Sequence, residues 1–282
     1  PDDPDSRFAR QVRHWARALA DLPVEVGFPA DRARPATAGH RGDSVPLAVP
    51  ADVHRALAEL AADTGSTLFM VAQAAVAAVI TRHGGGADVP LGTAVAGRSD
   101  DALDDLVGFF VNALVLRTDT SGDPTFAELV ARVRDTGLTA YSHQDVPFER
   151  IVEELNPPRS LSRHPLFQVM LVLQNAPEPD LDLPGLRLDL VDLGEGPAKF
   201  DLSFDLGETE AGLEGTIQFA TDLFDRVTAQ RLGAQHAEQR GAGGQRGQAF
   251  GAALAADGGV AGITSAGTLI RITAATGPSS EA

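Results

Sequence analysis

The 282-residue sequence contains no cysteine, which excludes a disulfide framework, a thiolate zinc site and a cysteine nucleophile. Aromatic residues make up only 5% of the chain, so a buried core has to be built mainly from Leu, Val, Ala and Phe. Lys199 is the only lysine, and the formal net charge is −16. Because nucleic-acid binding requires a basic surface, this charge balance predicts no nucleic-acid partner.

Long apolar runs are missing as well. No window reaches the roughly 18 consecutive apolar residues that a membrane span needs, so we predict no membrane segment. The acidic start, Pro1 to Asp5, has the wrong sign for a secretory leader. The sequence therefore predicts a cytoplasmic protein whose chemistry comes from histidine, carboxylates, serine or asparagine.

Hydrophobic periodicity predicts alternating helices and strands. Predicted helices cover residues 6–22, 50–64, 68–80, 125–140 and 148–155, with a further helix opening near Asp222 and an acidic, partly helical turn at 100–106. Predicted strands cover residues 45–49, 89–95, 109–116, 165–173, 186–193, 200–206 and 213–219. Four residues are predicted to cap or open helices: Ser6, Ser66, Asp123 and Pro124. The fold class is α/β, a two-layer mixed sheet covered by helices.

The chain divides into three parts by composition. Residues 1–44 combine an entry helix with a proline-rich linker, which we expect to be an extended surface connector. Residues 45–233 carry the regular α/β pattern. Residues 234–282 are rich in glycine and poor in large apolar residues, so this atypical tail is expected to be disordered.

Three segments in the middle of the chain carry family-like motifs. They are VGFFVN at residues 107–112 with LR at 116–117, HQDVPFE at 143–149, and RSLSRHPLFQ at 159–168. PLGTAVAGR at 90–98 precedes them, and WARALADLP at 15–23 opens the region. In this order and spacing, the segments resemble the last signature motifs of condensation domains from nonribosomal peptide synthetases.

The resemblance implies a chloramphenicol-acetyltransferase-like fold of two lobes with a tunnel between them. Two phosphopantetheine arms on peptidyl carrier proteins would bring the thioester substrates, with no cofactor or metal bound directly. An N-terminal lobe and an adenylation domain would be the neighbouring partners, in secondary-metabolite or antibiotic biosynthesis.

The catalytic histidine of the family lies in a His-His-x-x-x-Asp-Gly motif of the N-terminal lobe. This chain has seven histidines and no adjacent pair, so we interpret it as the C-terminal lobe alone, with no catalytic residue of its own. Without a general base and oxyanion stabilisation, we expect the isolated chain to be inactive in amide formation.

The resemblance also suggests residues at the tunnel or the lobe interface, each with a structural alternative. Asn112 would orient substrate or the facing lobe, or its amide would satisfy neighbouring backbone. His143 and Gln144 would belong to a turn that Asp145 fixes as a helix cap before Pro147, or would contact the tunnel or the lobe interface. We reject His143 with Asp145 as an acid–base pair, because adjacent side chains rarely converge on one point.

Four further residues complete the candidate set. Ser162 and Arg163 would lie near the lobe interface, or would serve as a turn serine and a surface arginine. Gly97 and Arg98 would form part of a loop that floors the tunnel, or Arg98 would be solvated beside Asp100 and Asp101. Four motif residues are assigned structural roles: Gly108, Phe109, Pro147 and Phe148, with residues 109–111 expected in a core strand.

Residues 177–197 are either a strand crossing to the other lobe or a plain hairpin. For the whole chain, the favoured function is the C-terminal lobe of an amide-forming condensation domain. The alternatives are a catalytically silent module that docks carrier proteins and an epimerisation-type relative.

Overall fold

The structure is a computed structural model that describes residues 3–98, 101–103, 106–174 and 196–233. The helices in these residues are α1 (Arg7–Ala18), α2 (Ala51–Asp63), α3 (Leu68–Arg82), α4 (Phe126–Ser142), α5 (Phe148–Leu155) and α6 (Arg226–Gly233). The strands are β1 (Gly42–Pro50), β2 (Asp88–Val95), β3 (Asn112–Asp119), β4 (Val169–Gln174), β5 (Leu202–Thr209) and β6 (Gly212–Ala220). A short 3-10 helix covers Asp101–Leu103.

All six strands form one mixed sheet in the order β1-β6-β5-β4-β2-β3. β4 pairs in parallel with β2 and β5, and the other neighbours are antiparallel. The predicted mixed α/β sheet is therefore confirmed. Along β4 and β5, buried and less buried residues alternate, which places the core on one face of these strands.

At the β3 edge, helices contact both faces of the sheet. Thr118 of β3 accepts a hydrogen bond from Gln73 of α3 at 3.0 Å. Arg117, which precedes Thr118 in β3, donates hydrogen bonds to the carbonyl of Ala18, the last residue of α1, and to that of Ala20. Because successive strand residues point to opposite faces, α1 and α3 lie on opposite sides of β3.

The α1 side of β2 is packed against Phe167. A Cβ placed on Gly92 of β2 would lie 2.0 Å from Cε2 of Phe167, which is only 1% exposed. Phe167 also contacts the rings of Phe148 and Phe200, so it has little room to move. Glycine at position 92 is therefore what lets this ring approach the sheet.

The helix caps differ partly from the predicted ones. Ser6 caps α1 as predicted, since its hydroxyl accepts from the Ala9 amide at 3.1 Å. For α3, the capping residue is Thr67 and not Ser66. For α4, it is Thr125, whose capping box with Glu128 replaces the predicted Asp123 and Pro124. In each case the threonine directly precedes the first helical residue, where its hydroxyl reaches the N3 amide.

The prediction of a core strand over residues 109–116 is wrong at its start. β3 begins at Asn112, and Phe109 is 90% exposed while Val107 is fully exposed. In the same way, Leu138 on α4 is exposed although it fits the apolar stripe. A continuous apolar run identifies side chains that favour burial, but it does not show which of them contact another helix or strand in the folded chain.

The proline-rich segment before β1 contains no helix or strand, as predicted, but it is not simply a surface connector. Val26 and Phe28 are buried at 5% and 7% exposure. The Val26 amide donates to Oε1 of Gln168 at 2.8 Å, which fixes the segment beside the start of β4. The predicted strand at 186–193 and the tail at 234–282 lie outside the described residues.

Candidate functional site

Asn112 joins two of the sequence motifs through its side-chain amide. Its Nδ2 donates to the carbonyls of Gln144 at 2.9 Å and Val146 at 2.8 Å. Its Oδ1 accepts from the amides of Ala113 at 2.9 Å and Phe148 at 3.1 Å. Two donors and two acceptor positions are thus occupied by backbone, so the amide fixes the turn before α5 rather than presenting a group to a substrate.

Asp145 is not a helix cap, and this prediction is wrong. Pro147 precedes α5 without a side-chain cap, and the first-turn amide of Phe148 bonds Asn112 instead. The Asp145 carboxylate faces α1, where it accepts from Nε2 of Gln11 and pairs with Arg7, both at 2.8 Å. The residue still stabilises the turn, but by attaching it to α1.

His143 is the residue that follows α4, and its ring stacks on a second histidine. Its ring lies 3.8 Å from that of His14, with 16° between the planes. Its Nδ1 is 2.8 Å from the Thr139 carbonyl, and its own carbonyl accepts from Nε1 of Trp15 at 2.8 Å. Burial lowers the pKa of His14, and the charges of His143 and Arg17 lower it further. These contacts join α1 to α4, and no carboxylate in the described chain hydrogen-bonds the His143 ring.

Gly97 and Arg98 form a tight loop with the residues before β3. Gly97 has a φ of 68°, and a Cβ there would lie 1.9 Å from the Phe110 carbonyl oxygen. The Arg98 guanidinium lies 4.3 Å from the centre of the Phe110 ring and donates to the carbonyls of Leu103 and Leu106. Arg98 therefore folds back onto its own loop.

This loop presents an apolar surface to solvent. We call residues 106–111 the apolar loop. Leu106 and Val111 are about half exposed, whereas Val107 and Phe109 are almost completely exposed, at 105% and 90%. Gly108 is exposed between them. Contiguous exposed apolar side chains of this size are typical of a surface that meets another protein.

The third motif borders a cavity of about 340 Å³. Ser162, Arg163 and His164 form one wall, and Lys199, Phe200 and Asp201 form another. Arg34 lies at the cavity and donates to the Ser162 carbonyl at 3.2 Å. The residues before β1 therefore hold the motif loop in place.

Arg34 and Asp201 form the least exposed ion pair of this region. Their side chains are 15% and 13% exposed, and two hydrogen bonds of 2.9 and 2.5 Å join the guanidinium to the carboxylate. Glu25 adds a third contact at 2.6 Å. Hydrogen bonding to Asp201 raises the pKa of Arg34. Burial raises the pKa of Asp201, and Arg34 acts in the opposite direction.

His164 lies among three phenylalanine rings. The ring centroids of Phe148, Phe167 and Phe200 are 5.2, 4.2 and 5.0 Å from its own. Its Nδ1 is buried and has no hydrogen-bond partner in the described chain. Burial lowers the pKa of His164 to about 4, so the imidazole is neutral at physiological pH.

We expect His164 to make the fold acid-sensitive. The unfolded chain protonates this histidine near pH 6.5, whereas the folded chain does so only near pH 4. The unfolded state therefore binds more protons between these values, and the free energy of unfolding falls as the pH decreases through this window. The loss is on the order of 3 kcal/mol.

Denaturant titrations at pH 7 and pH 4.5 measure this effect. In His164→Leu, the decrease between the two pH values should be smaller than in the wild type by about 2–3 kcal/mol. His40→Gln, at an exposed histidine, is the matched control and should retain the wild-type decrease. An unchanged pH dependence in His164→Leu would contradict the assignment.

The structure brings the predicted residues into two groups. Asn112, His143 and Gln144 form the first, and Ser162 and Arg163 border the cavity. Phe148 connects them, because its amide bonds Asn112 and its ring contacts His164. Sequence reasoning missed Arg34, Asp201 and His164 as members of the cavity. The only local signals were the histidine beside Arg163 and an aspartate at the start of a predicted strand.

Within the described ranges, no group of three or more histidine, aspartate or glutamate side chains is placed to hold a metal ion. In the same ranges, no single helix is both long and apolar enough to cross a membrane. The consecutive helices α2 and α3 meet that criterion only together, with a bend of 106° between them.

The family model for the condensation domain matches residues 4–239. A probable non-canonical nonribosomal peptide synthetase, CymA of Salinispora arenicola, is 53% identical over 239 residues, covering 83% of the chain and 3% of the relative. A dimodular nonribosomal peptide synthase of Bacillus subtilis is 49% identical over 237 residues, covering 82% and 10%. The chain thus spans only a small part of these relatives.

Solved structures show the same likeness. The X-domain from teicoplanin biosynthesis is 39% identical with a TM-score of 0.78, and the match covers 82% of this chain and 53% of that one. A complex of the X-domain and OxyB from the same biosynthesis matches at 39% identity and a TM-score of 0.76. Holo-AB3403, a four-domain nonribosomal peptide synthetase, is 27% identical with a TM-score of 0.72, over 82% of this chain and 19% of that one.

Proposed function

Because this chain belongs to the condensation-domain family found in nonribosomal peptide synthetases, we propose that it forms the C-terminal lobe of a domain that joins carrier-bound thioesters. The observation that carries the proposal is the match to about half of the solved X-domain, at 53% of its length and a TM-score of 0.78. The single six-stranded sheet of the described residues is consistent with one of two lobes. The other lobe would supply the second wall of the cleft and the histidine motif.

The exposed side chains of the apolar loop support the proposal that a second lobe packs against this one. Phe109 and Val107 are nearly fully exposed, and the neighbouring Phe110 packs closely against Gly97 and Arg98. Burying such side chains against a partner lobe stabilises the pair by about 25 cal/mol for each Å² of apolar surface removed from water. We assign the loop to the lobe interface, together with Asn112 and the turn at His143 and Gln144 as its support.

Carrier-protein phosphopantetheine arms would then be the substrates, and an adenylation domain the neighbour in the same synthetase. The similarity to synthetases from Salinispora arenicola and Bacillus subtilis supports this setting. We further propose a role in secondary-metabolite biosynthesis, in the cytoplasm. The proposed role of this chain is to position the substrates and shape the cleft, since no residue in its described part is arranged as a general base.

The test is an assay of dipeptide formation on aminoacyl carrier proteins. We expect no dipeptide from the purified chain alone, and dipeptide once the N-terminal lobe of a homologous condensation domain is joined to it. The matched control is the joined protein with alanine in place of the partner lobe's second motif histidine, which should lose activity. Dipeptide from the chain alone, or equal activity in the control, would contradict the proposal.

A second candidate function is protein docking without catalysis. The observation that favours it is the solved complex of the X-domain with OxyB, at 39% identity to this chain. The same joined protein discriminates the two functions. A correctly folded two-lobe protein that binds carrier proteins but forms no dipeptide would favour docking.

A further inference from the structure

A second cavity, which we call the apolar cavity, lies between the sheet and the helices α2, α3 and α6. Its volume is about 100 Å³. Among the described residues, every side chain that lines it is an alanine, valine, leucine or phenylalanine. We propose that the apolar cavity binds a small, uncharged apolar molecule of the size of one aromatic ring. Such binding goes beyond the condensation function proposed above and does not depend on it.

The apolar cavity results from the side chains that α3 directs towards the sheet. Val71, Ala75 and Val79 recur at every fourth position of α3, so they lie on one face of the helix. Phe204 and Leu206 of β5 line the same space from the opposite side. The shorter side chains of the helix leave a volume that the longer side chains of the strand do not fill.

The wall of the apolar cavity offers little to a water molecule. A buried water usually makes two to four hydrogen bonds, and the described wall has no polar side chain to provide them. The residues Phe204 and Leu206 are paired with β4 on one side and with β6 on the other, so their backbone groups are engaged in the sheet. Cavities of roughly 150 Å³ with walls of this composition stay dry and bind benzene or xenon.

The apolar cavity is accessible from solvent at one side. Val71 and Leu213 in its interior are 0% and 1% exposed. In contrast, Leu47, Val76 and Leu232 are only half-buried, and they lie on three different elements, β1, α3 and α6. These three side chains border the opening. A ligand can therefore enter between α3 and α6 without unfolding of the core, and most of its surface then loses contact with water.

The chemistry and the size of the apolar cavity select the ligand. A charged group or a hydroxyl placed inside loses its water and finds no side-chain partner among the described residues, which costs free energy. The volume suits a single ring or a short branched chain. A stable protein–protein contact, by comparison, removes roughly 1,200–2,000 Å² of surface from water. The occupant is therefore a small hydrocarbon-like molecule and not a second chain.

Titration of the full chain with benzene, followed through the methyl signals in ¹H–¹³C spectra, tests the proposal. We expect saturable shifts of the methyl groups that line the apolar cavity, including those of Val76, Val79 and Leu213. The methyl groups of Val130 and Val133 on α4, which are buried outside the cavity, should keep their positions. Phenol has the same ring but carries a hydroxyl without a partner in the wall, so it should bind roughly tenfold or more weakly.

Two variants close the apolar cavity in different ways. Ala75→Leu fills it from α3 and should weaken benzene binding by roughly tenfold or more. Because an enlarged side chain can distort a packed core, Val76→Phe at the half-buried opening is the second blocking variant, with the same expected loss. Ala127→Leu, at an exposed position of α4, is the matched control and should bind benzene as the wild type does. Circular dichroism confirms that each variant is folded.

Three results would overturn the proposal. The first is the absence of saturable benzene shifts at the cavity methyl groups. The second is an unchanged affinity in a folded blocking variant, or equal binding of phenol and benzene. The third is a shift of the cavity methyl signals with protein concentration in the absence of benzene, which would show that a second copy of the chain occupies the apolar cavity.

Discussion

Replacing Trp15 with alanine is expected to lower the free energy of unfolding by about 4 kcal/mol. Trp15 is 2% exposed and packs among the buried residues that join α1, β3 and α5. Its Nε1 also donates to the His143 carbonyl at 2.8 Å. The substitution therefore leaves a cavity and removes a hydrogen bond from the turn that Asn112 organises.

Urea titration followed by circular dichroism measures this loss. Trp15→Phe keeps most of the apolar volume and should cost roughly half as much. Phe8→Ala, a large and partly exposed residue of the same helix, is the control and should cost less than about 1 kcal/mol. If Trp15→Ala is no more destabilising than this control, α1 is not attached to the lobe as described.

Arg34→Met is expected to lower the free energy of unfolding by about 3–4 kcal/mol. The substitution leaves the carboxylate of Asp201 buried without its counter-ion, and it removes the hydrogen bond to the Ser162 carbonyl. Loss of the guanidinium raises the pKa of Asp201 further, so the folded variant takes up a proton more readily than the wild type. The deficit relative to the wild type should therefore shrink as the pH is lowered.

A double-mutant cycle separates the ion pair from its surroundings. Arg34→Met/Asp201→Leu removes both charges, and it should recover a large part of the loss because no uncompensated ion remains buried. The control is Arg32→Met, which breaks an ion pair to Asp225 with side chains 48% and 56% exposed, and it should cost less than about 1 kcal/mol. Purely additive effects of the two substitutions would contradict a coupled pair.

Local sequence patterns predicted most helices and strands well. The helix predicted at residues 148–155 is α5 with the same bounds. The helix predicted at residues 68–80 is α3, which begins at the predicted residue and ends two residues later, at Arg82. Such elements are specified by periodicity and by residues within a few positions of their ends. Strand β3 was less predictable, because its apolar run continues into the exposed loop before Asn112.

The cavity beside the third motif was only partly predictable. The third motif predicts Ser162 and Arg163 as site residues, but Arg34 lies in a segment that resembles a simple linker. Its partner Asp201 is 167 residues further along the chain. No local sequence pattern relates Arg34 to Asp201, because their pairing depends on the folded chain placing the segment before β1 next to the start of β5.

The sequence by itself determined the family, through motifs whose order and spacing are visible without coordinates, and the α/β class, through periodicity. Only the tertiary structure decided that Asn112 bonds backbone, that Asp145 faces α1 and that Phe109 is exposed. The physical reason is the distance along the sequence over which each property is determined. Helix and strand propensity depend on neighbouring residues, whereas burial, ion pairing and hydrogen-bond partners depend on distant segments that meet only when the chain folds.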